Sequence, residues 1–276
     1  MAVNSINTNA NALIALQNLN STAQQLANTQ NRISTGMKVA SAKDNGATWA
    51  IAQNQRATIS ALDSVKDSLQ RGQSTVDVAM TAGSQISDLL NQMKAKALAA
   101  SDSSVDTTSR GALNEDFKSL RDQIAKIVSN ADFNGVNMIK SGGASINALT
   151  NASGATMTVA AQDLSLGGAN MGSLSSTSTI GTITTATAMI TTLTTAIGKV
   201  NNAIAKLGTG STALAGQLDF VGKLQDTLTT GVSNLVDADV AKESATLQAL
   251  QTKQQLGVQA LSIANSSSST LLSLFR

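Results

Sequence analysis

The chain contains no cysteine, no histidine and no proline. Without cysteine and histidine there is no disulfide, no thiolate nucleophile, no serine–histidine pair and almost no zinc chemistry. Without proline, nothing kinks a long helix and no slow prolyl isomerisation delays folding. Aromatic residues make up 2% of the chain, with one tryptophan, Trp49, and no tyrosine. A core without large rings has to be packed from Ala, Leu, Ile and Val, which suits helices lying close together. Charged residues are 13% and the net charge is only +2, so there is no basic field to draw in nucleic acid or an anionic membrane. No apolar run reaches the ~18 residues of a membrane span, and Met1 to Asn20 lacks the basic start and continuous apolar stretch of a cleaved signal. We expect a soluble, helical protein with no nucleic-acid partner and no membrane insertion. If it is secreted, the route is not an ordinary cleaved signal. Its 276 residues allow roughly two domains.

What is present is helical periodicity. Leu19, Leu26 and Ile33 recur at sevens, with Leu16 and Ala23 between them, a narrow seam of the coiled-coil kind. This first helix should start near "NTNAN" and stop near Ser34-Thr35-Gly36. Residues 35–56 carry two glycines and no sustained period and are read as a loop with short helical pieces. A second long helix is predicted over about 58–99. "SDSSVDTT" then supplies N-cap candidates for a third, whose stripe is Leu113, Phe117, Leu120, Ile124 and Ile127. Turn clusters follow at Asn134-Gly135, Gly142-Gly143 and Ser153-Gly154. "SINALT" and "TMTVAA" flank the last of these as a small β-hairpin. Ser173 to Thr187 is read as a surface loop. Its hydroxyls at Ser173, Ser175, Ser176, Thr177, Ser178 and Thr179 make O-glycosylation plausible, beside the plainer reading of an unmodified polar loop. A fourth helix alternates apolar threes and fours from Ile190 to Leu235, and its glycines suggest another helix lying close. The last runs over about 237–270, with Val240, Leu247, Leu250, Leu261 and Ala264 on one side.

The fold class is therefore mainly α: a long antiparallel bundle of the N- and C-terminal halves, with a small β-hairpin in the middle. The terminal helices have sparse seams, and helices this polar draw most of their stability from packing. After four serines the chain carries Leu271, Leu272, Leu274 and Phe275, which need cover. Copies of the same chain would supply it. Arg32, Lys43 and Asp44 flank the loop after the first helix and are candidates for ion pairs between subunits. As a solvated face instead, each pair would be worth only ~0–1 kcal/mol. Asp237 and Asp239 lack the Gly and late Glu of a calcium loop and suit a helix N-terminus instead. No acid, base and nucleophile converge in the sequence, so neither an enzyme nor a cofactor is expected.

Five pieces, in order, resemble bacterial flagellin: "INTNANALIALQNLN", "RISTGMKVASAKDNGATWAIA", "DFNGVNMI", "DADVAKES" and the ending "LLSLFR". The resemblance covers about residues 1–165 and 188–276. It implies an inner-tube domain of 1–40 with 237–276 and an outer helical domain of 41–236, with only about 140–187 free for an insert. That is the pattern of short flagellins lacking large outer domains. It also implies a structural subunit polymerising into a motility filament outside the cell. Implied partners are copies of itself, the filament cap, hook–filament junction proteins, and the flagellar export apparatus with its export chaperone. The interface residues would be Leu16, Leu19, Leu26, Ile33, Leu247, Leu250, Leu261 and the tail leucines and phenylalanine. The second reading is a hook–filament junction protein, or a secreted adhesin-like coiled-coil protein, with flagellin-like ends. Within "DLLNQMKAKALAA", Gln92 and Ala95 stand where family members sensed by the mammalian innate receptor carry Arg and Glu. Lys94 keeps the charge of a second family Arg. These departures weaken the case for recognition by that receptor.

Overall fold

The structure is a computed structural model that describes residues 9–273, with side chains described to residue 266. Within that span lie five helices, α1 (Ala10–Thr35), α2 (Gly46–Ala100), α3 (Thr107–Asn130), α4 (Ile183–Val236) and α5 (Val240–Ser273), and a two-stranded sheet of β1 (Ile146–Leu149) and β2 (Thr156–Val159) between α3 and α4 in sequence. The chain divides into two compact units, Met1–Ala57 with Thr227–Arg276 and Thr58–Asp226.

Local chemistry sets the helix ends. The Asn9 side chain accepts from the Ala12 N–H and caps α1, whose C-terminus closes on Gly36 in the left-handed conformation at φ 70°. Asp106 accepts from the N–H groups of Thr108 and Ser109 and starts α3, inside the polar break that predicts it. Asp239 does the same for Ala241 and Lys242 at the start of α5, with Glu243 in the first turn, a favourable place for negative charge. The supposed loop over 35–56 is shorter than expected. Asn45 accepts from the Thr48 N–H and α2 begins at Gly46. The missed turns, "GATWAIAQNQRA", bury only Ala52 and so show little apolar period. The hydroxyl-rich loop likewise ends early, because α4 begins at Ile183.

In the larger unit α2 and α4 run antiparallel in constant register. Gln225 donates to Asp63, Ser211 to Asp77 and Ser87 to Asn201, so α4 recedes residue for residue as α2 advances. Between them and α3 lie Leu69, Ile86, Leu90 and Met93 of α2, Phe117 and Ile124 of α3, and Leu193, Val200, Leu207 and Leu214 of α4, all fully buried. The hairpin pairs Ile146 with Val159 and Leu149 with Thr156. It closes against α2 and α4 where glycines make room. A β-carbon at Gly72 would lie 3.2 Å from Ile146, and one at Gly210 2.6 Å from Val159. Of the α4 glycines expected to face another helix, Gly208 does, with the Met80 methyl of α2 4.0 Å from its β-carbon position, whereas Gly210 faces the hairpin and Gly216, Gly222 and Gly231 have nothing within 4 Å of a β-carbon. Arg110 is buried and donates to the carbonyls of Ala100, Asp102 and Val105, which ties off the end of α2. The segment between hairpin and α4 is no loose insert: Leu164, Met171, Leu174 and Ile180 are fully buried.

Candidate assembly surface

The smaller unit is built on α1 packed antiparallel against α5. Asn9 donates to the Ala264 carbonyl at 2.7 Å, Arg32 to Glu243 at 3.2 Å, and the Ala238 N–H to Gly36 at 2.8 Å. Lys38 and Val39 add two backbone bonds to Val236. The buried or half-buried positions of α1 are Ala12, Ala15, Leu19, Thr22, Leu26, Thr29 and Ile33. Those of α5, among its described side chains, are Glu243, Ser244, Leu247, Leu250, Gln254, Gly257, Leu261 and Ala264. The α1 set, and the α5 set from Ser244 onward, step by threes and fours, the spacing of a two-helix seam. Leu19, Leu26, Ile33, Leu247, Leu250 and Leu261 thus meet within one chain. Thr22 and Thr29, not Leu16 and Ala23, complete the α1 seam. Thr22 fits because its hydroxyl donates to the Asn18 carbonyl.

The pair leaves a second apolar set facing outward. Leu13 and Ile14 of α1 are each 58% exposed, and Leu256 and Ile263 of α5 are 64% and 65% exposed. Leu16 and Val258 are exposed as well. Ile14, Leu19, Leu256 and Ala260 line a groove of about 430 Å³ between the two helices. A helix apolar on more than one side is made for burial on more than one side, and contiguous exposed apolar surface marks an interaction site. Sequence reading missed Leu13, Ile14, Leu256 and Ile263 because it followed one seam per helix. The seven-residue spacing of Leu256 and Ile263 is the signal that could have found part of the set.

Two of the three charged candidates are engaged within the chain. Arg32 pairs with Glu243, and the Asp44 carboxylate accepts from the Ala40 and Ser41 N–H groups and the Ser41 hydroxyl. Those bonds, the Ser41 backbone N–H first, hold the Asp44 carboxyl below the usual aspartate value. Lys43 is exposed. No group of three or more acidic side chains that could hold a metal occurs among the described residues. No helix among them is long and apolar enough to cross a membrane. Of the tail, Leu271 and Leu272 lie on the last turn of α5 with their side chains outside the described set. Leu274 and Phe275 lie outside the described residues altogether.

A model of the bacterial flagellin N-terminal helical region matches residues 6–144, and one of the C-terminal helical region matches residues 180–275. The chain belongs to the bacterial flagellin family. It is 60% identical to flagellin FljM of Caulobacter vibrioides over 276 residues, covering 100% of both chains. It is 38% identical to a flagellin of Brucella melitensis, covering 99% of each. Among solved structures, Bacillus cereus flagellin superposes with a TM-score of 0.50 at 27% identity, covering 56% of this chain and 88% of that one. A putative flagellar hook-associated protein from Vibrio parahaemolyticus gives 0.59 at 15% identity, covering 70% and 100%; that likeness is one of fold alone. This flagellin is a structural subunit of the extracellular flagellar filament, and it self-assembles. Full-length identity to flagellins sets aside the junction-protein and adhesin readings.

Proposed function

We propose that the α1–α5 pair is the polymerising element of this flagellin, with residues 1–40 and 237–276 forming the inner tube and 41–236 the outer layer of the filament. The observation that carries this is the second apolar set, Leu13, Ile14, Leu256 and Ile263, left exposed on helices whose first seam is already closed. Neighbouring copies bury that set together with Leu16. Leu19, Leu26, Ile33, Leu247, Leu250 and Leu261 then serve twice, as seam and as the floor beneath the neighbour. The same copies cover Leu271, Leu272, Leu274 and Phe275 on this reading, and Arg32, Lys43 and Asp44 are its charged candidates. The filament cap, the hook–filament junction proteins and the export apparatus with its chaperone are the partners such a subunit meets before and during assembly. No enzymatic role is proposed.

The experiment is polymerisation of the purified chain followed by electron microscopy and a critical-concentration measurement. Replacing Leu256 and Ile263 with Ser should raise the critical concentration steeply while leaving the helicity of the monomer in place. Unchanged assembly would refute the placement of the interface.

O-glycosylation belongs to the same outer layer. Ser173, Ser176 and Thr177 are exposed, whereas Ser175, Ser178 and Thr179 are half-buried, and the Ser175 hydroxyl lies 3.0 Å from that of Thr177. We propose the first three as acceptors. A native filament whose intact mass equals that of the bare chain would exclude it.

A further inference from the structure

The sequence holds two Asn–Gly steps, Asn45-Gly46 and Asn134-Gly135, and the fold treats them oppositely. Such steps are chemically labile because glycine offers no side chain to block its own nitrogen. The Gly nitrogen can attack the side-chain carbon Cγ of the preceding Asn and form a five-membered succinimide. A new N–Cγ bond forms, the Cγ–amide bond breaks, and the proton from the backbone nitrogen leaves with the amide as ammonia. Water then opens the ring. Attack at Cγ yields aspartate, and attack at the main-chain carbonyl yields isoaspartate. The balance is one water in and one ammonia out, and no catalyst or oxidant is required.

At Asn134 the fold obstructs each requirement. Phe133 and Val136 exchange backbone hydrogen bonds at 3.0 Å, with Asn134 at φ 51° and Gly135 at φ 80° between them, a two-residue turn of the I′ kind. In that left-handed conformation the next nitrogen is directed away from the Asn side chain. The Gly135 N–H is also committed, donating to the Asp132 carboxylate at 2.9 Å. A nitrogen held in a hydrogen bond cannot readily lose its proton and turn on Cγ.

At Asn45 none of these guards is in place. Asn45 caps α2, and a cap residue is extended, which keeps the following nitrogen nearer its side chain. The side-chain carbonyl accepts from the Thr48 N–H at 3.0 Å, which makes Cγ more electrophilic. The Gly46 N–H is the first of the donors that a helix leaves without an intrahelical partner, and no acceptor holds it among the described residues. Both residues are exposed, and nothing lies within 4 Å of the space a Gly46 β-carbon would fill.

We propose that Asn45 is a site of spontaneous deamidation in this flagellin, and that Asp132 guards the second step, Asn134-Gly135, against the same reaction. The aspartate product adds a negative charge at the N-terminus of α2, which the helix dipole favours. The isoaspartate product lengthens the main chain by one carbon at the cap. Ageing of the protein would therefore be written at one place.

The test is peptide mapping by mass spectrometry of the full chain, folded and kept below its polymerisation concentration, after increasing times in mildly alkaline buffer. Conversion at Asn45 should rise steadily while Asn134 stays an amide, and in the denatured chain the two should convert at similar rates. Gly46→Ala should slow conversion at residue 45 several-fold. Asp132→Ala should raise conversion at Asn134 several-fold, and Asp132→Asn, which keeps an acceptor for the Gly135 N–H, should largely restore protection. An intact Asn45 in the aged folded monomer, or an Asn134 that converts as fast as Asn45 with Asp132 in place, would overturn the proposal.

Discussion

Leu19 of α1 lies over Gly257 of α5, so close that a β-carbon at position 257 would sit 3.3 Å from the Leu19 Cδ1 methyl. The contact lies in the half of the α1–α5 seam nearer Asn9 and Ala264 and fixes how near the two helices approach there. A methyl at 257 requires Leu19 to give by a few tenths of an ångström, and a half-buried leucine end can do so. Against that, replacing a mid-helix glycine with alanine stabilises the helix by up to ~1 kcal/mol. Gly257→Ala should therefore be neutral to slightly stabilising. Gly257→Leu should force the helices apart and lose the seam. Amide-exchange protection of α1 and α5 in assembled filaments would separate the two cases. Equal protection in Gly257→Leu would show that the approach is not set there.

The clasp at the end of α2 gives a second prediction, for the larger unit. Arg110 is 8% exposed and donates to three carbonyls, those of Ala100, Asp102 and Val105. Hydrogen bonds from a charged group are worth about 1.5–3 kcal/mol in net stability. Arg110→Ala should destabilise by about that much or somewhat more, since the buried stem is lost as well. Arg110→Lys should recover only part, because a point charge cannot reproduce the planar fork. Urea denaturation followed by circular dichroism measures both.

Acid sensitivity follows from the helix and loop caps. Asp44, Asp102 and Asp106 are each held below the ordinary aspartate value, by the Ser41 N–H, the Ser104 N–H and the Ser109 hydroxyl respectively as the leading causes. A carboxyl with a depressed folded pKa contributes stability that is complete above its unfolded value, about 4. That stability is lost as pH falls through the folded value. With no histidine in the chain, stability should be flat from about pH 8 down to about pH 5 and should decline only below the unfolded aspartate range. Asp106→Asn keeps a competent cap and should blunt the acid decline while changing neutral stability little. A titration of the urea midpoint that breaks near neutrality would contradict this.

Much of this architecture was legible because helix caps and apolar spacing are local. Asn9, Gly36, Asp106 and Asp239 announce their ends in sequence, and the hairpin follows from turn residues between short alternating runs. What was not legible depends on partners far along the chain. Thr22 reads as polar, yet it is buried because its hydroxyl is satisfied by the preceding turn. The first turns of α2 bury almost nothing, so periodicity is silent there and only the Asn45 cap marks the start. Gly72, Gly83 and Gly210 look like helix weaknesses, but their contacts are Ile146, Ile204 and Val159. The outer apolar set was obscured for a related reason: a helix with two buried faces has no single stripe to read.

The tail provides the sharpest test of how the filament is held together. Burying a large apolar side chain yields about 1.5–3 kcal/mol. If Leu271, Leu272, Leu274 and Phe275 are covered by neighbouring copies, each subunit collects that gain only on assembly. Deleting residues 271–276 should then leave thermal unfolding of the larger unit nearly unchanged, since the core of that unit is closed by α2, α3 and α4 without them. The critical concentration should rise by orders of magnitude, because ~1.4 kcal/mol is already a factor of ten. Replacing only Leu274 and Phe275 with Ser should act in the same direction, but less severely. A tail folded back on its own subunit predicts the opposite order, a lower melting temperature first and failed assembly only as its consequence. Both quantities can be measured on the same truncated protein, and a chain that melts early yet polymerises normally would place the tail in the subunit's own core.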